Sequence, residues 1–75
     1  MTLEELHKYV EDAHTDVTFD YNGKVVILYT DSDNANVDTD DFDFRHFDSW
    51  EELCDSDYFW GRKLADIAEE LVPYN

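Results

Sequence analysis

The feature that most constrains the fold of this 75-residue chain is an Asn-Gly pair at positions 22 and 23. It lies between two runs rich in β-branched and aromatic residues, Asp16–Tyr21 and Lys24–Thr30. A type I′ turn needs positive φ at both central residues, which asparagine and glycine tolerate best. The first run alternates apolar and polar residues, as a half-buried strand does, whereas the second is apolar on both faces. The pattern predicts an antiparallel hairpin whose second strand is central and covered on both faces.

Helical patterns flank this hairpin on both sides. Thr2 and Glu5 have the spacing of a capping box, and the apolar stripe that follows predicts a helix over residues 2–14. A further helix is predicted to begin at residues 48–49, with either of two capping boxes: Asp48 with Glu51, or Ser49 with Glu52. A last helix is predicted from about residue 62 to residue 72, and Pro73 ends it.

The stretch Asp31–Asp57 carries eleven of the twenty acids and a single lysine or arginine. Its first eight residues, DSDNANVD, are rich in turn formers and predict a loop. Residues 40–44 then alternate acid and phenylalanine, which predicts a third antiparallel strand. In that strand Phe42 and Phe44 would point inward, and Asp41 and Asp43 would point outward as a rigid row of carboxylates.

These elements predict a single acidic α+β domain over residues 1–75, with an N-terminal helix, a three-stranded antiparallel sheet and two C-terminal helices (α-β-β-β-α-α). With 43% hydrophobic residues the chain can bury a core, so a folded domain is favoured over disorder. The single cysteine excludes an internal disulfide framework. The N-terminal segment lacks the long apolar run of a signal peptide or membrane span. We therefore expect a cytoplasmic protein in whatever cell makes it.

The net charge of −15 bears most directly on function. A charge of this sign repels DNA, RNA and anionic membranes, so direct binding to nucleic acid or membrane is not expected. Such a charge is usually tolerated for solubility, for halophilic adaptation or for a cationic partner. The partner that we expect is a basic nucleic-acid-binding protein.

No catalytic or metal-binding motif accompanies this charge. An EF-hand loop beginning at Asp31 would place Ala35, Asn36 and Phe42 where calcium ligation needs an acid or amide, a glycine and a glutamate. Cys54 lies on the apolar side of its predicted helix, where an inert buried thiol is usual. We therefore expect no enzyme activity, no cofactor and no dedicated metal site, and a cation-binding domain is kept only as a third hypothesis.

A row of carboxylates on one strand repeats at roughly 6.6–6.8 Å, twice the strand rise, while each DNA strand presents a phosphate about every 3.4 Å of helix axis. Such a row can therefore stand in for nucleic-acid backbone. Tyr58, Phe59 and Trp60 cannot all be buried on one face: either two pack inside and one covers an edge, or one is an exposed interface anchor. The residues expected to contact the partner are Asp31, Asp33, Asp38, Asp40, Asp41, Asp43, Glu51, Glu52, Asp55, Asp57, Tyr58 and Trp60.

In its size, charge and predicted order of elements, the chain resembles the small acidic inhibitors of phages and mobile elements, of the anti-CRISPR or anti-restriction type that mimic DNA. The resemblance implies an inhibitor that blocks the basic DNA- or RNA-binding groove of a nuclease, a CRISPR effector or a restriction enzyme. One such groove is where a Cas9-type nuclease reads its protospacer-adjacent motif with arginines. The alternative is a small regulatory module, similar to immunity proteins and antitoxins, that binds its partner through aromatic residues while its acids mainly maintain solubility.

Overall fold

The computed structural model describes residues 1–31 and 34–74, which form one five-stranded antiparallel sheet with three helices. The strands lie in the order β4-β3-β2-β1-β5, so β2 is central. The elements in chain order are α1 (Leu3–Ala13), β1 (Val17–Tyr21), β2 (Lys24–Asp31), β3 (Asn34–Thr39), β4 (Arg45–Phe47), α2 (Trp50–Asp55), α3 (Leu64–Ile67) with a 3-10 turn after it (Ala68–Glu70), and β5 (Val72–Pro73).

The predicted hairpin and first helix are confirmed. Strands β1 and β2 pair in antiparallel register around the turn, where Asn22 and Gly23 have φ of 51° and 88°. At the start of α1 the Thr2 hydroxyl accepts the Glu5 N–H at 3.2 Å, and the Glu5 carboxylate accepts the Thr2 N–H at 2.9 Å. These two bonds form the capping box and lower the pKa of the Glu5 carboxyl.

The prediction of a three-stranded sheet in the order α-β-β-β-α-α is wrong, and the first cause lies after β2. Residues 34–38, predicted as part of a loop, form β3 together with Thr39 and pair with β2 from Val26 to Asp31. Asparagine and aspartate are poor strand formers. Here, Ala35 and Val37 are fully buried in the core, and the burial of these small side chains outweighs the weak local preference.

The predicted third strand at residues 40–44 is also wrong. The chain must reverse direction between β3 and β4, which pair antiparallel, and the reversal falls on these residues. The segment in which acid and phenylalanine alternate is therefore a loop, and Phe44 is 62% exposed rather than pointing inward. The sheet continues only in the short edge strand β4.

Of the two capping boxes proposed for α2, Ser49 is the residue that caps the helix, since its Oγ accepts the Glu52 N–H at 3.1 Å.

The C-terminal segment differs from prediction in a third way. The predicted long last helix is reduced to α3 and its 3-10 turn. Val72 and Pro73 then pair with β1 as the edge strand β5, a position where a proline is tolerated because no ladder N–H is needed on the outer side.

All three helices pack on the same face of the sheet. The buried core joins their apolar side chains to alternate residues of the strands, and its members include Leu6, Val10, Phe19, Val26, Leu28, Val37, Leu53, Phe59, Leu64 and Ile67. The expectation that β2 is covered on both faces is therefore wrong for the described residues. The apolar side chains on its second face, Val25, Ile27 and Tyr29, are only half-buried.

Candidate partner-binding surface

Residues 40–44, here called the acidic loop, connect β3 to β4 and carry three of the acids predicted to contact a partner. Asp40 Oδ2 accepts the backbone N–H of Val25 at 3.0 Å. The hydroxyl of Thr39 accepts the backbone N–H of Phe42 at 3.1 Å. These bonds tie the loop to β2 and β3, so it has a defined conformation without belonging to a strand.

The Asp41 carboxylate forms hydrogen bonds with other side chains of the protein. Its Oδ2 accepts hydrogen bonds from the Lys24 ammonium group and, at 2.7 Å, from the indole N–H of Trp60. The lysine and then the indole lower the pKa of the Asp41 carboxyl below its ordinary value. The predicted outward row of Asp41 and Asp43 is therefore wrong, because the strand is absent and Asp41 meets Lys24 and Trp60.

Four aromatic residues fasten the acidic loop to the body of the protein: Tyr21, Phe42, Tyr58 and Trp60. The ring of Phe42 lies 5.5 Å from Tyr58 and 5.6 Å from Trp60, between centroids. Trp60 stacks on Tyr21 at 5.5 Å. The Tyr58 hydroxyl donates to the backbone carbonyl of Asp43 at 2.6 Å, and partial burial raises the pKa of that hydroxyl.

The burial of the Tyr58-Phe59-Trp60 run differs from the first of the two predictions, in which two of the three residues pack inside the protein. Phe59 is fully buried, while Tyr58 and Trp60 are half-buried against the acidic loop. Trp60 has a φ of 55°, followed by Gly61 at 78°. A bulky residue rarely adopts this left-handed conformation, and the ring and indole contacts of Trp60 hold it there. A contact of Tyr58 or Trp60 with a partner stays a prediction.

The acids around α2 lie on the helical side of the protein. Glu51 and Glu52 occupy its first turn, where the helix dipole favours negative charge, and Glu52 also accepts the Asp48 N–H at 3.2 Å. Glu52 then shares a depression with two further predicted acids and two cations. The residues that line it include Glu52, Asp55, Asp57, Arg45 and Lys63. This region is therefore mixed in charge rather than uniformly acidic.

The uncovered side of the sheet, here called the open sheet face, groups acids around an apolar stripe. The stripe is Val25, Ile27 and Tyr29 of β2. The register places Asp20 of β1 beside Val25 and Asp38 of β3 beside Ile27. Asp16, Asp38 and Phe44 line a groove of about 110 Å³ together with Ile27 and Tyr29. Asp40 is bonded to Val25 at one end, and Asp31, exposed, lies at the other.

Two members of this face, Asp16 and Asp20, were missed by the sequence prediction. The alternation of Val17–Tyr21 does place Asp20 opposite the buried face of β1. Both acids precede the acid-rich stretch Asp31–Asp57 in sequence, and only the pairing of β1 with β2 brings them to the same face. Asp33, which was predicted to contact a partner, lies outside the described residues.

In the described part of the chain, the lysine and arginine side chains lie away from the open sheet face. Lys8 pairs with Asp12 at 3.3 Å and Lys24 with Asp41. Arg62 lies 3.6 Å from Glu70 and donates to the Tyr21 hydroxyl at 2.7 Å. Arg45 lies over the ring of Phe47, on the core side of β4, and Lys63 borders the depression beside α2. No ion pair with lysine or arginine is found for Asp16, Asp20 or Asp38 within residues 1–31 and 34–74.

Side chains of the types used in catalysis or metal binding are dispersed over the described residues. Among the described residues there is no cluster of three or more histidine, cysteine, aspartate or glutamate side chains arranged to hold a metal ion. His46 contacts Asn36 at 2.7 Å and Asp48 at 3.6 Å. Cys54 is half-buried, and desolvation followed by the charges of Asp55 and Glu51 raises the pKa of its thiol to about 11. Such a thiol is a poor nucleophile at neutral pH.

No family model, curated protein or solved structure matches the chain. Within the two described ranges, no helix combines the length and the apolar character needed to cross a membrane.

The environment of Asp41 leads to a prediction about acid stability. The folded-state pKa of this carboxyl lies below its ordinary value of 3.8, so it stabilises the fold above that pH and the contribution disappears as the pH falls through the folded-state pKa. Asp41→Asn should therefore destabilise the protein at pH 6 and have a smaller effect below about pH 3. Urea unfolding of wild type and variant at both pH values measures the difference.

The matched control for this experiment is Asp43→Asn, because the Asp43 carboxylate makes no described hydrogen bond or ion pair. Both variants remove one negative charge, so the general relief of repulsion at low pH cancels between them. Equal pH profiles for the two variants would show that Lys24 and Trp60 do not stabilise the charged form of Asp41.

Proposed function

We propose that this protein is an acidic inhibitor that occupies the basic nucleic-acid-binding groove of another protein and so excludes DNA or RNA from it. The target class is a nuclease, a CRISPR effector or a restriction enzyme, and the inhibitor acts in the cytoplasm, of the host if a phage encodes it. The observation that carries the proposal is the excess of twenty acids over five lysines and arginines on one small folded body.

The arrangement of these acids supports the proposal in revised form. Three of the five cations, Lys8, Lys24 and Arg62, are paired with acids of the chain, so these three form no separate positive patch on the strongly negative surface. A basic groove that binds phosphates gains affinity and fast association from such a surface. The described acids that are predicted to contact the partner lie in two regions: the open sheet face with the acidic loop, and the surroundings of α2.

Competition with DNA tests this proposal. A labelled duplex is bound to each of a panel of purified enzymes, including a guide-loaded Cas9-type nuclease and a restriction endonuclease, and displacement is followed by fluorescence anisotropy. We expect displacement from at least one member at about 50 mM salt, with an affinity that falls tenfold or more by about 300 mM. DNA cleavage by that enzyme should be inhibited in parallel.

The control is the protein with its charge reduced by Asp43→Lys and Asp57→Lys, two exposed acids predicted to contact the target. This double variant should inhibit less than wild type at equal concentration, whereas Glu69→Lys with Glu4→Lys, an equal change in charge, should inhibit nearly as well. Absence of displacement from every enzyme in the panel at low salt would contradict the proposal.

A second function is favoured by the exposed apolar residues, which are not needed for charge mimicry. Phe44 is 62% exposed and Tyr74 54%. A regulatory module similar to immunity proteins or antitoxins would bind its partner mainly through such residues. In that case binding would change little between low and high salt, which separates the two functions in the same experiment.

A further inference from the structure

We propose that the open sheet face binds an amphipathic α-helix of the partner, with the apolar stripe of that helix lying on β2 and its lysines and arginines reaching acids on both sides. The inference rests on the proposed function in taking the partner to be a basic protein. It goes further by naming the surface used and the kind of element that it receives.

Among the described residues, no helix covers the open sheet face. Strand β2 has apolar side chains on both faces, but α1, α2 and α3 all pack on one of them. Val25, Ile27 and Tyr29 remain half-buried on the other face, and the exposed ring of Phe44 extends this surface at the groove beside Ile27. A contiguous apolar surface with a polar rim is typical of a protein–protein contact site.

Negatively charged side chains flank the apolar stripe on both sides. Asp20 lies beside it on β1 and Asp38 on β3, with Asp16 at the groove. Asp40, whose carboxylate accepts the Val25 N–H, lies at one end. The lysines and arginines of the described residues lie elsewhere, as shown by their contacts. The stripe is thus bordered by negative charge on both sides, and a complementary surface is apolar in the middle and basic along both edges.

The distance between the acids of β1 and those of β3 matches the width of an α-helix. Neighbouring strands are about 4.7–4.9 Å apart, so the side chains of β1 and β3 are separated by roughly 9.5 Å across β2. An α-helix with its side chains is about 10–12 Å in diameter. A helix that lies along β2 therefore places flanking cations over Asp20 on one side and Asp38 on the other. From Val25 to Tyr29 the stripe is about 13 Å long, which matches roughly nine helical residues.

The same charges exclude two other occupants. A second copy of this chain would bring one acid-framed face against another, and like charges placed opposite each other weaken association. Nucleic acid would be repelled by the same carboxylates. A basic helix is favoured because it satisfies both the apolar stripe and the acids beside it.

A designed peptide tests the inference on the whole protein. The probe is a helix of about 18 residues with leucines on one stripe and lysines on both flanks, and the control peptide has the same composition in an order that forms no stripe. We expect saturable changes in the amide NMR spectrum of the isotope-labelled protein, concentrated in residues 16–20, 25–29 and 36–40. The control peptide should bind at least tenfold more weakly. Absence of binding by the striped peptide, or changes concentrated around α2, would overturn the inference.

Substitutions on the face provide the second arm. Ile27→Lys and Asp38→Lys should each weaken binding of the striped peptide by about tenfold or more at about 50 mM salt, whereas Glu69→Lys, with the same change in charge as Asp38→Lys, should change it less than threefold. Glu69 is exposed in the 3-10 turn, away from this face. Thermal melting confirms that each variant is folded. Equal weakening by Asp38→Lys and Glu69→Lys would overturn the inference, because only overall charge would then matter.

Failure of the proposed surface and failure of the proposed function give different experimental results. If a nuclease is inhibited but Ile27→Lys and Asp38→Lys inhibit as well as wild type, while Glu51→Lys and Asp55→Lys do not, the function stands and the surface is wrong. If the striped peptide binds the open sheet face but no enzyme of the panel loses its DNA, the surface stands and the target class is wrong.

Discussion

Phe59→Ala is expected to destabilise the protein by about 3–5 kcal/mol, the usual cost of truncating a buried phenylalanine. Phe59 is fully buried and belongs to the core shared by the helices and the sheet. A chain of this length has a total stability of roughly 4–11 kcal/mol. The variant should therefore be partly or wholly unfolded at 37 °C, which urea titration followed by circular dichroism at lower temperature would measure.

Phe44→Ala is the matched control for this prediction. The same atoms are removed, but Phe44 is 62% exposed, so the free energy of unfolding should change by no more than about 0.5 kcal/mol. Binding of the striped peptide, in contrast, should weaken. A loss of stability in Phe44→Ala comparable to that in Phe59→Ala would mean that the acidic loop contributes far more to the core than its contacts indicate.

Trp60→Ala should have the second largest effect, a loss of about 2–3 kcal/mol, below the usual range for a fully buried tryptophan because this one is half-buried. The substitution removes the stack on Tyr21, the contact with Phe42 and the hydrogen bond to Asp41. Residues 40–44 should lose their attachment as a result. Amide hydrogen exchange in the acidic loop should accelerate by more than exchange in β1 and β2, and this is the measurement that separates a local from a general effect.

Two further variants separate the contributions of Trp60. Trp60→Phe keeps an aromatic ring but removes the indole N–H, and should cost about 1 kcal/mol. Trp60→Gly removes the side chain but suits the left-handed backbone, so it should be no more damaging than Trp60→Ala despite the greater flexibility of glycine. Unchanged exchange in residues 40–44 in all three variants would show that the loop is held by other contacts.

Local chemistry was sufficient to predict the first third of the fold. The Asn-Gly turn, the alternation in β1 and the capping box of Thr2 and Glu5 each act within a few residues, so sequence patterns describe them well. The same holds for the Ser49 cap of α2. The sequence allowed either Asp48 or Ser49 as the cap, and the structure shows that it is Ser49.

The later strands could not be predicted in this way because their stability comes from distant partners. Strand β3 has the sequence NANVDT, in which only two small apolar residues alternate, and it is recognisable only once β2 lies beside it. Strand β5 has two residues, one of them proline. The alternation at residues 40–44 was a stronger local signal than either, yet it lies in a loop because the chain has to reverse there.

The candidate site, like the fold, could be predicted from the sequence only in part. The excess of acid and its concentration in residues 31–57 were evident in the sequence. The engagement of Asp41 by Lys24 and Trp60 was not, because the three residues are far apart in the chain and are joined only by the fold. Asp16 and Asp20 became part of the surface for the same reason, since β1 lies next to β2 in the sheet.

The position of β5 has a consequence for the order in which the protein can fold as it is synthesised. The N–H of Tyr74 donates to the carbonyl of Thr18 at 3.0 Å, and Val72 and Pro73 pair with Asp20 and Phe19. The hairpin of β1 and β2 can form early because its contacts are local, but the free edge of β1 stays unpaired until residues 72–74 have left the ribosome. During that interval the edge is open to pairing with other nascent chains.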